Sequence, residues 1–112
     1  MRVLVCGGRD FSDFDAANEA LTYHAFEADF IIHGGARGAD SLAQDWADNA
    51  GLACLVYPAD WKMHGRAAGP LRNQRMIDEG KPDLVIAFPG SRGTADMIRR
   101  AKAAGIPVKE IS

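Results

Sequence analysis

Cysteine is scarce in this chain. There are two, Cys6 and Cys54, and their spacing matches no zinc-binding pattern, so no metal site is expected. Each lies in an apolar, strand-like run, which implies buried, reduced thiols and a cytoplasmic setting. No stretch approaches the roughly 20 consecutive apolar residues of a membrane span. The run Met1–Cys6 meets glycines at once. It is too short for a secretory signal and reads as a first strand. A positive surplus is also missing. The formal net charge is −2, which counts against a general nucleic-acid binder. Two familiar phosphate signatures are absent as well. No G-x-G-x-x-G follows the first strand, and G-x-x-x-x-G-K-[ST] occurs nowhere. These absences argue against an ordinary dinucleotide dehydrogenase and a P-loop ATPase.

What is present suits one domain covering residues 1–112. A hydrophobic fraction of 47% can build a core, and 25% charged residues is normal for a soluble chain. The repeating unit is an apolar run, a glycine loop and a helical pattern. Strands are expected at Val3–Cys6, Phe30–His33, Cys54–Tyr57, Asp83–Phe88 and Val108–Ile111. The first helix should run from Asp15 to Ala28 behind a Ser12 or Asp13 cap. The second is marked by Ala39, Leu42, Ala43, Trp46, Ala47 and Ala50 on one face, with Gly51 as its stop. Pro70 suits the first turn of a third helix ending near Gly80. Thr94 suits the cap of a fourth that ends at Gly105. Strands alternating with helices imply a Rossmann-like three-layer α/β fold. Its mainly parallel five-stranded sheet should have the order 3-2-1-4-5.

Such sheets bind ligands beyond the carboxyl ends of their strands, where the strand order reverses. Three glycine-rich loops should meet there: Gly7-Gly8-Arg9-Asp10, Gly34-Gly35-Ala36-Arg37-Gly38-Ala39-Asp40, and Pro89-Gly90-Ser91-Arg92-Gly93-Thr94. Glycine lets backbone N–H groups approach an anion, and the helix behind each loop adds unpaired donors. Six of the nine arginines lie in or beside expected loops: Arg9, Arg37, Arg66, Arg72, Arg75 and Arg92. Arg37 and Arg92 could grip phosphate oxygens. The connection from Pro58 to Gly69 is long for an α/β loop and carries Trp61, Lys62, His64 and Arg66. It reads either as a lid that stacks Trp61 on a base or as a segment packed onto the third helix. That third helix should carry Arg72, Arg75, Met76 and Glu79 on one face.

Taken together, Val5-Cys6-Gly7-Gly8-Arg9-Asp10-Phe11, Ile32 to Asp40, Pro58-Ala59-Asp60-Trp61, Gly69 to Met76 and Phe88 to Met97 resemble the YspA-type family of the SLOG superfamily. The resemblance covers almost the whole chain. It implies a Rossmann-like fold and a nucleotide-type ligand. The stretch G-G-A-R-G-A-D is similar to a G-x-A-x-G-I-D segment of DNA-processing protein A. The stretch P-G-S-R-G-T resembles the P-G-G-x-G-T-x-x-E loop of the LOG phosphoribohydrolases. In LOG enzymes the final Glu is catalytic, and here that position is Met97. The LOG arginine has its match in Arg72.

These readings leave three functions open. The first is a binding or sensing module for a phosphate-bearing nucleotide derivative, held by the three loops together with Trp61 and Arg72. The second is an N-glycosidase acting on a nucleoside monophosphate, with Arg72, Asp96 or Asp40 as candidate catalytic groups. The third is a DNA-binding accessory protein, which the net charge disfavours. Asp40, Asp96, Asp10 and Asp60 are also candidates for ribose or base contacts. No cofactor is expected. Phe11, Phe14 and Trp46 are aromatic faces in need of cover, so self-association into a homo-oligomer is expected.

Overall fold

The computed structural model describes residues 1–112. Five strands, β1 (Arg2–Cys6), β2 (Phe30–His33), β3 (Ala53–Val56), β4 (Leu84–Ala87) and β5 (Val108–Glu110), form one all-parallel sheet. Its order is β3-β2-β1-β4-β5, as the alternation of elements implies. Helices α1 (Phe14–His24) and α2 (Ala39–Ala50) cover one face. The other face carries α4 (Ala68–Asp78) and α5 (Arg92–Ala103), and a short α3 (Trp61–His64) leads into α4.

The central strands are apolar, apart from Arg2 at the start of β1 and His33 at the end of β2, because both of their faces are covered. Val3 and Val5 point to the α1/α2 side with Leu84 and Ile86. Leu4 and Cys6 point to the α4/α5 side with Val85 and Ala87. On α2 the buried stripe is Ala39, Ala43 and Ala47, whose small side chains let the helix lie close to the sheet. Leu42 and Trp46 flank that stripe half-buried, and Ala50 is exposed.

Several boundaries differ from the sequence reading. α1 stops at His24 because Ala25 and Ala28 turn inward to fill the core before β2. Its cap is Asp13, whose carboxylate accepts from the Ala16 N–H at 3.0 Å. The connection expected to be a long loop is largely helical. Asp60 caps α3 by accepting from the Met63 N–H at 3.1 Å, and a 3₁₀ turn at Gly65–Ala67 runs on into α4. α4 therefore starts two residues ahead of Pro70, which still occupies its first turn. α5 starts at Arg92 behind Ser91, so Thr94 sits inside the first turn instead of capping it.

Gly38 is where the backbone has least freedom to change. Its φ is +79°, and a Cβ there would stand 2.2 Å from the Gly8 carbonyl oxygen. Gly38→Ala is therefore expected to lose about 2–4 kcal/mol of stability, from left-handed strain and backbone collision together. Urea denaturation followed by circular dichroism measures this. A loss below about 0.5 kcal/mol, the range of ordinary surface substitutions, would show that the loops can move apart.

Candidate functional site

The chain reverses its direction of travel across the sheet between β1 and β4. The loops after β1, β2 and β4 open there onto a groove of about 860 Å³. The loops first bind one another. The Gly8 N–H donates to the Pro89 carbonyl at 2.8 Å, and the Gly8 carbonyl accepts from the Ala39 N–H at 3.1 Å. Phe11 stacks on Phe88 with ring centroids 5.0 Å apart and pins the first loop to the core.

The loop after β2 uses its own donors. Asp40 Oδ2 accepts from the Gly34 and Ala36 N–H groups, each at 3.2 Å. The Gly35 N–H donates to His33 Nδ1 at 3.0 Å, which leaves His33 Nε2 to donate to Gln44 Oε1 at 2.6 Å. Arg72 closes the same loop from α4. Its Nη1 donates to the Gly34 carbonyl at 2.9 Å and its Nε to Asn73 Oδ1 at 3.0 Å. Gly34 has no room for a side chain, since a Cβ would meet the Arg72 guanidinium at 2.1 Å.

The loop after β4 is different. The N–H groups of Ser91, Arg92, Gly93 and Thr94 have no acceptor in the protein. α1 and α3 are capped by aspartates, whereas neither α2 nor α5, which begin at the groove, has a side-chain cap. An uncapped helix start supplies free donors and the positive end of the helix dipole.

Six arginines line the groove, Arg9, Arg37, Arg66, Arg72, Arg92 and Arg99, against three aspartates, Asp10, Asp40 and Asp96. That is a local surplus of three positive charges in a chain of net charge −2. Of the residues singled out in sequence, Gly7, Gly8, Asp10, Trp61, Gly90, Ser91, Gly93 and Thr94 also line it. Gly34, Gly35, Gly38 and Pro89 do not line it: Gly34 is buried, Gly38 is half-buried, and Gly35 and Pro89 are exposed outside the groove. Arg75 stands outside, paired with Glu79 at 2.9 Å and lying over the Tyr57 ring. Asp60 is occupied as the α3 cap, and His64 is exposed away from the groove. Arg37 reaches across to Asp10 at 3.3 Å. Arg9 lies over the half-exposed Trp61 ring, 5.3 Å from its centroid, and that ring also packs against Gly69 of α4.

Asn73 and Arg99 escaped the sequence reading. Asn73 donates to Asp96 Oδ2 at 3.0 Å and to the Gly93 carbonyl at 3.2 Å. Asp96 also takes Arg99 and, at 2.8 Å, Arg100. The helical spacing of Asp96, Arg99 and Arg100 was the available signal. Burial raises the Asp96 carboxyl, but hydrogen bonds from Arg100 and Asn73 outweigh it, and the pKa ends below the ordinary value. At Asp40 burial wins over the Ala36 N–H, His33 and Arg72, and the pKa is raised. Burial lowers Arg72, which Asp40 partly restores. Cys6 lines the groove floor, and burial pushes its thiol up to about 12, so it is protonated and inert at neutral pH. Met97 is fully buried among Leu4, Ile32, Met76 and Ala101. A glutamate there would enter hydrocarbon and not the groove.

The chain matches the family described as YAcAr: YspA, cpYpsA-related SLOG family over residues 1–64. It is similar to the Gene 61 protein of Mycobacterium phage D29, with 38% identity over 96% of this chain and 93% of that protein. Among solved structures it resembles TM1055, a structural-genomics target, with a TM-score of 0.74. That match covers 96% of this chain and 71% of TM1055 at 21% identity, and it concerns the fold.

Asp96 ties α4 to α5, and this has a pH signature. Its folded pKa lies below the unfolded value, so its contribution is full above about pH 4 and fades as pH falls through the folded pKa. Asp96→Asn is expected to cost about 1–2 kcal/mol at pH 7, and the gap from wild type should narrow below about pH 4. Urea titrations at pH 7 and pH 3 measure it. An equal deficit at both pH values would show that the ionised carboxylate is not what matters.

Proposed function

The chain belongs to the YspA, cpYpsA-related SLOG family, and from that footing we propose that it binds a phosphate-bearing nucleotide or nucleotide derivative in the groove between β1 and β4. The observation that carries this reading is the uncapped start of α5. Four adjacent N–H donors without partners face an arginine-rich groove, an arrangement suited to a phosphate group. Arg92 has no partner in the protein and is free to close over that anion. Arg37 is held only by an exposed pair with Asp10, which a doubly charged phosphate can outcompete. Trp61 and Arg9 offer a flat face for a base.

Binding is favoured over glycosidic cleavage by the state of the carboxylates. Cleavage needs an ionised carboxylate beside the anomeric carbon. Asp96 is committed to Asn73, Arg99 and Arg100, position 97 lies in the core, and at Asp40, the other candidate carboxylate, burial works against the ionised form. The two free thiols suit a reducing, cytoplasmic compartment, which belongs to the same proposal. No helix is long and apolar enough to cross a membrane.

Self-association is the second part of the proposal, and β3 supports it. Its four residues, Ala-Cys-Leu-Val, have the composition of a strand buried on both faces, yet Leu55 and Val56 are 36% and 45% exposed. The Tyr57 N–H bonds inward to His33, so the alternate residues Cys54 and Val56 aim their backbone groups outward. The opposite edge, β5, is shorter and carries Lys109 and Glu110. Such charges discourage edge pairing, and β3 has none. Of the aromatic residues flagged in sequence, Phe11 and Trp46 are packed internally and Phe14 stays exposed.

Two measurements check these readings. Arg92→Ala and Arg37→Ala should each weaken AMP binding by about 1.5–3 kcal/mol in calorimetry, with folding preserved and no adenine released by wild type. Unchanged affinity in both variants, or steady release of adenine, would sink the binding-module reading. Light scattering at micromolar concentration should give a dimer or larger species that Leu55→Lys reduces to monomer. A monomeric wild type would end the proposal for β3.

A further inference from the structure

Asp40 is 93% buried by residue, being 7% exposed, yet it lines the groove. Its two oxygens are not equivalent. Oδ2 accepts the Gly34 and Ala36 N–H groups, while Oδ1 has no partner in the protein. No side-chain polar atom in the molecule is both sealed from solvent and unpaired, so Oδ1 is reached from the groove. Arg72 has the matching asymmetry. Its Nη1 and Nε are held by Gly34, Tyr57 and Asn73, and Nη2 is left free. Both side chains are fixed by the same residue, Gly34, Asp40 on its N–H and Arg72 on its carbonyl. The groove therefore holds one preorganised acceptor next to one preorganised donor.

An acceptor of this kind takes a hydroxyl, an amine or a cation. Arg72 beside it and the surplus of arginines oppose a cation or an ammonium group. No group of His, Cys, Asp or Glu side chains stands ready to complete a metal shell. A neutral hydroxyl remains. Position selects which hydroxyl. Gly8 alone bridges the β4 loop and the start of α2, through Pro89 on one side and Ala39 on the other. Asp40, next to Ala39, and the α5 donors, which follow Pro89, thus border the same groove on the two sides of Gly8. Trp61 and Arg9 line that groove as well and present a stacking face. A sugar joins phosphate to base, and its hydroxyls are the neutral hydroxyls that a groove with both features would meet.

Resting on the proposed nucleotide site, we propose that Asp40 and Arg72 together form a subsite for the vicinal diol of a ribose 5-phosphate unit, with one hydroxyl donating to Asp40 Oδ1 and the other accepting from Arg72 Nη2. The site thereby selects ribonucleotides over deoxyribonucleotides. Discrimination is strong because a deoxy ligand leaves a buried carboxylate oxygen without a donor. Burial also raises the Asp40 carboxyl, which is consistent with an oxygen that lacks a partner in the free protein.

Calorimetry with sugar phosphates tests this without knowledge of the base. The probes are ribose 5-phosphate against 2-deoxyribose 5-phosphate, and AMP against its 2′-deoxy and 3′-deoxy forms. Wild type is expected to bind each ribo probe at least tenfold more tightly than its deoxy partner. Asp40→Asn keeps an oxygen for the Gly34 and Ala36 N–H groups and replaces the free acceptor with a donor. It should bring ribo affinity down to the deoxy level and leave deoxy affinity within twofold, with an unchanged far-ultraviolet spectrum. Equal binding of ribo and deoxy probes by wild type overturns the diol subsite and leaves the nucleotide reading standing. Selectivity that survives in Asp40→Asn also overturns it. Binding of none of the probes at millimolar concentration overturns both readings. If Asp40→Asn does not fold, the wild-type ratios decide the matter alone.

Discussion

Everything at the carboxyl end of the sheet depends on how Gly34 is held. Asp40 takes its N–H and Arg72 takes its carbonyl, so two side chains of opposite charge grip the consecutive peptide groups of one residue from two helices. α2 and α4 lie on opposite faces of the sheet, and this residue is where they are joined through the loop between β2 and α2. Moving either side chain would free the β2 loop and change the groove wall. The cost of burying Asp40 is what makes the brace specific. A carboxylate this deep is tolerated only because two N–H groups and a nearby guanidinium meet it.

That brace divides the labour among three similar-looking loops. The β2 loop has the richest glycine pattern, yet the N–H groups of Gly34, Gly35 and Ala36 are consumed internally by Asp40 and His33. The β1 loop is the keystone, with Gly8 bonded to both neighbours. A Cβ at Gly8 would stand 2.9 Å from the Pro89 oxygen, so glycine here serves close packing of loop on loop. The β4 loop is left with the longest run of unused donors. Glycine content alone therefore does not rank loops as anion sites. What ranks them is which donors remain after the loops have satisfied one another.

The sheet was legible because its central strands are continuous apolar runs and its helices carry clear stripes, signals that survive any tertiary detail. Strand order followed from right-handed crossovers. Boundaries were less legible where side chains compete for the same backbone. Thr94 has the chemistry of a cap, but the turn starts at Ser91 and leaves the donors open. The segment before α4 looked like a loop because Gly65 and Gly69 break its helical pattern, while the Asp60 cap starts a turn that proline does not interrupt. Arg75 and Arg99 exchanged roles. Arg75 finds Glu79 one turn on, whereas Arg99 is drawn to the groove by Asp96. Sequence spacing allowed both pairings, and only the folded arrangement puts Arg99 in the groove wall and Arg75 outside it.

Local pairing explains how one groove of a mildly acidic protein stays positive. Asp96 is flanked by Arg99 and Arg100 on its own helix and by Asn73 on the next, so its charge is compensated before it reaches the groove. Asp10 is balanced by Arg37. Asp40 is buried with Arg72 beside it. Each aspartate in the groove wall thus has an arginine at hand, while Arg9, Arg66 and Arg92 have no carboxylate partner. The field in the groove is set by those remaining cations and by the open end of α5, not by the formal charge of the chain. Remote negative charge on the outer helix faces is separated from the groove by solvent and screened at physiological salt. The chain can therefore stay net negative while one cleft stays positive.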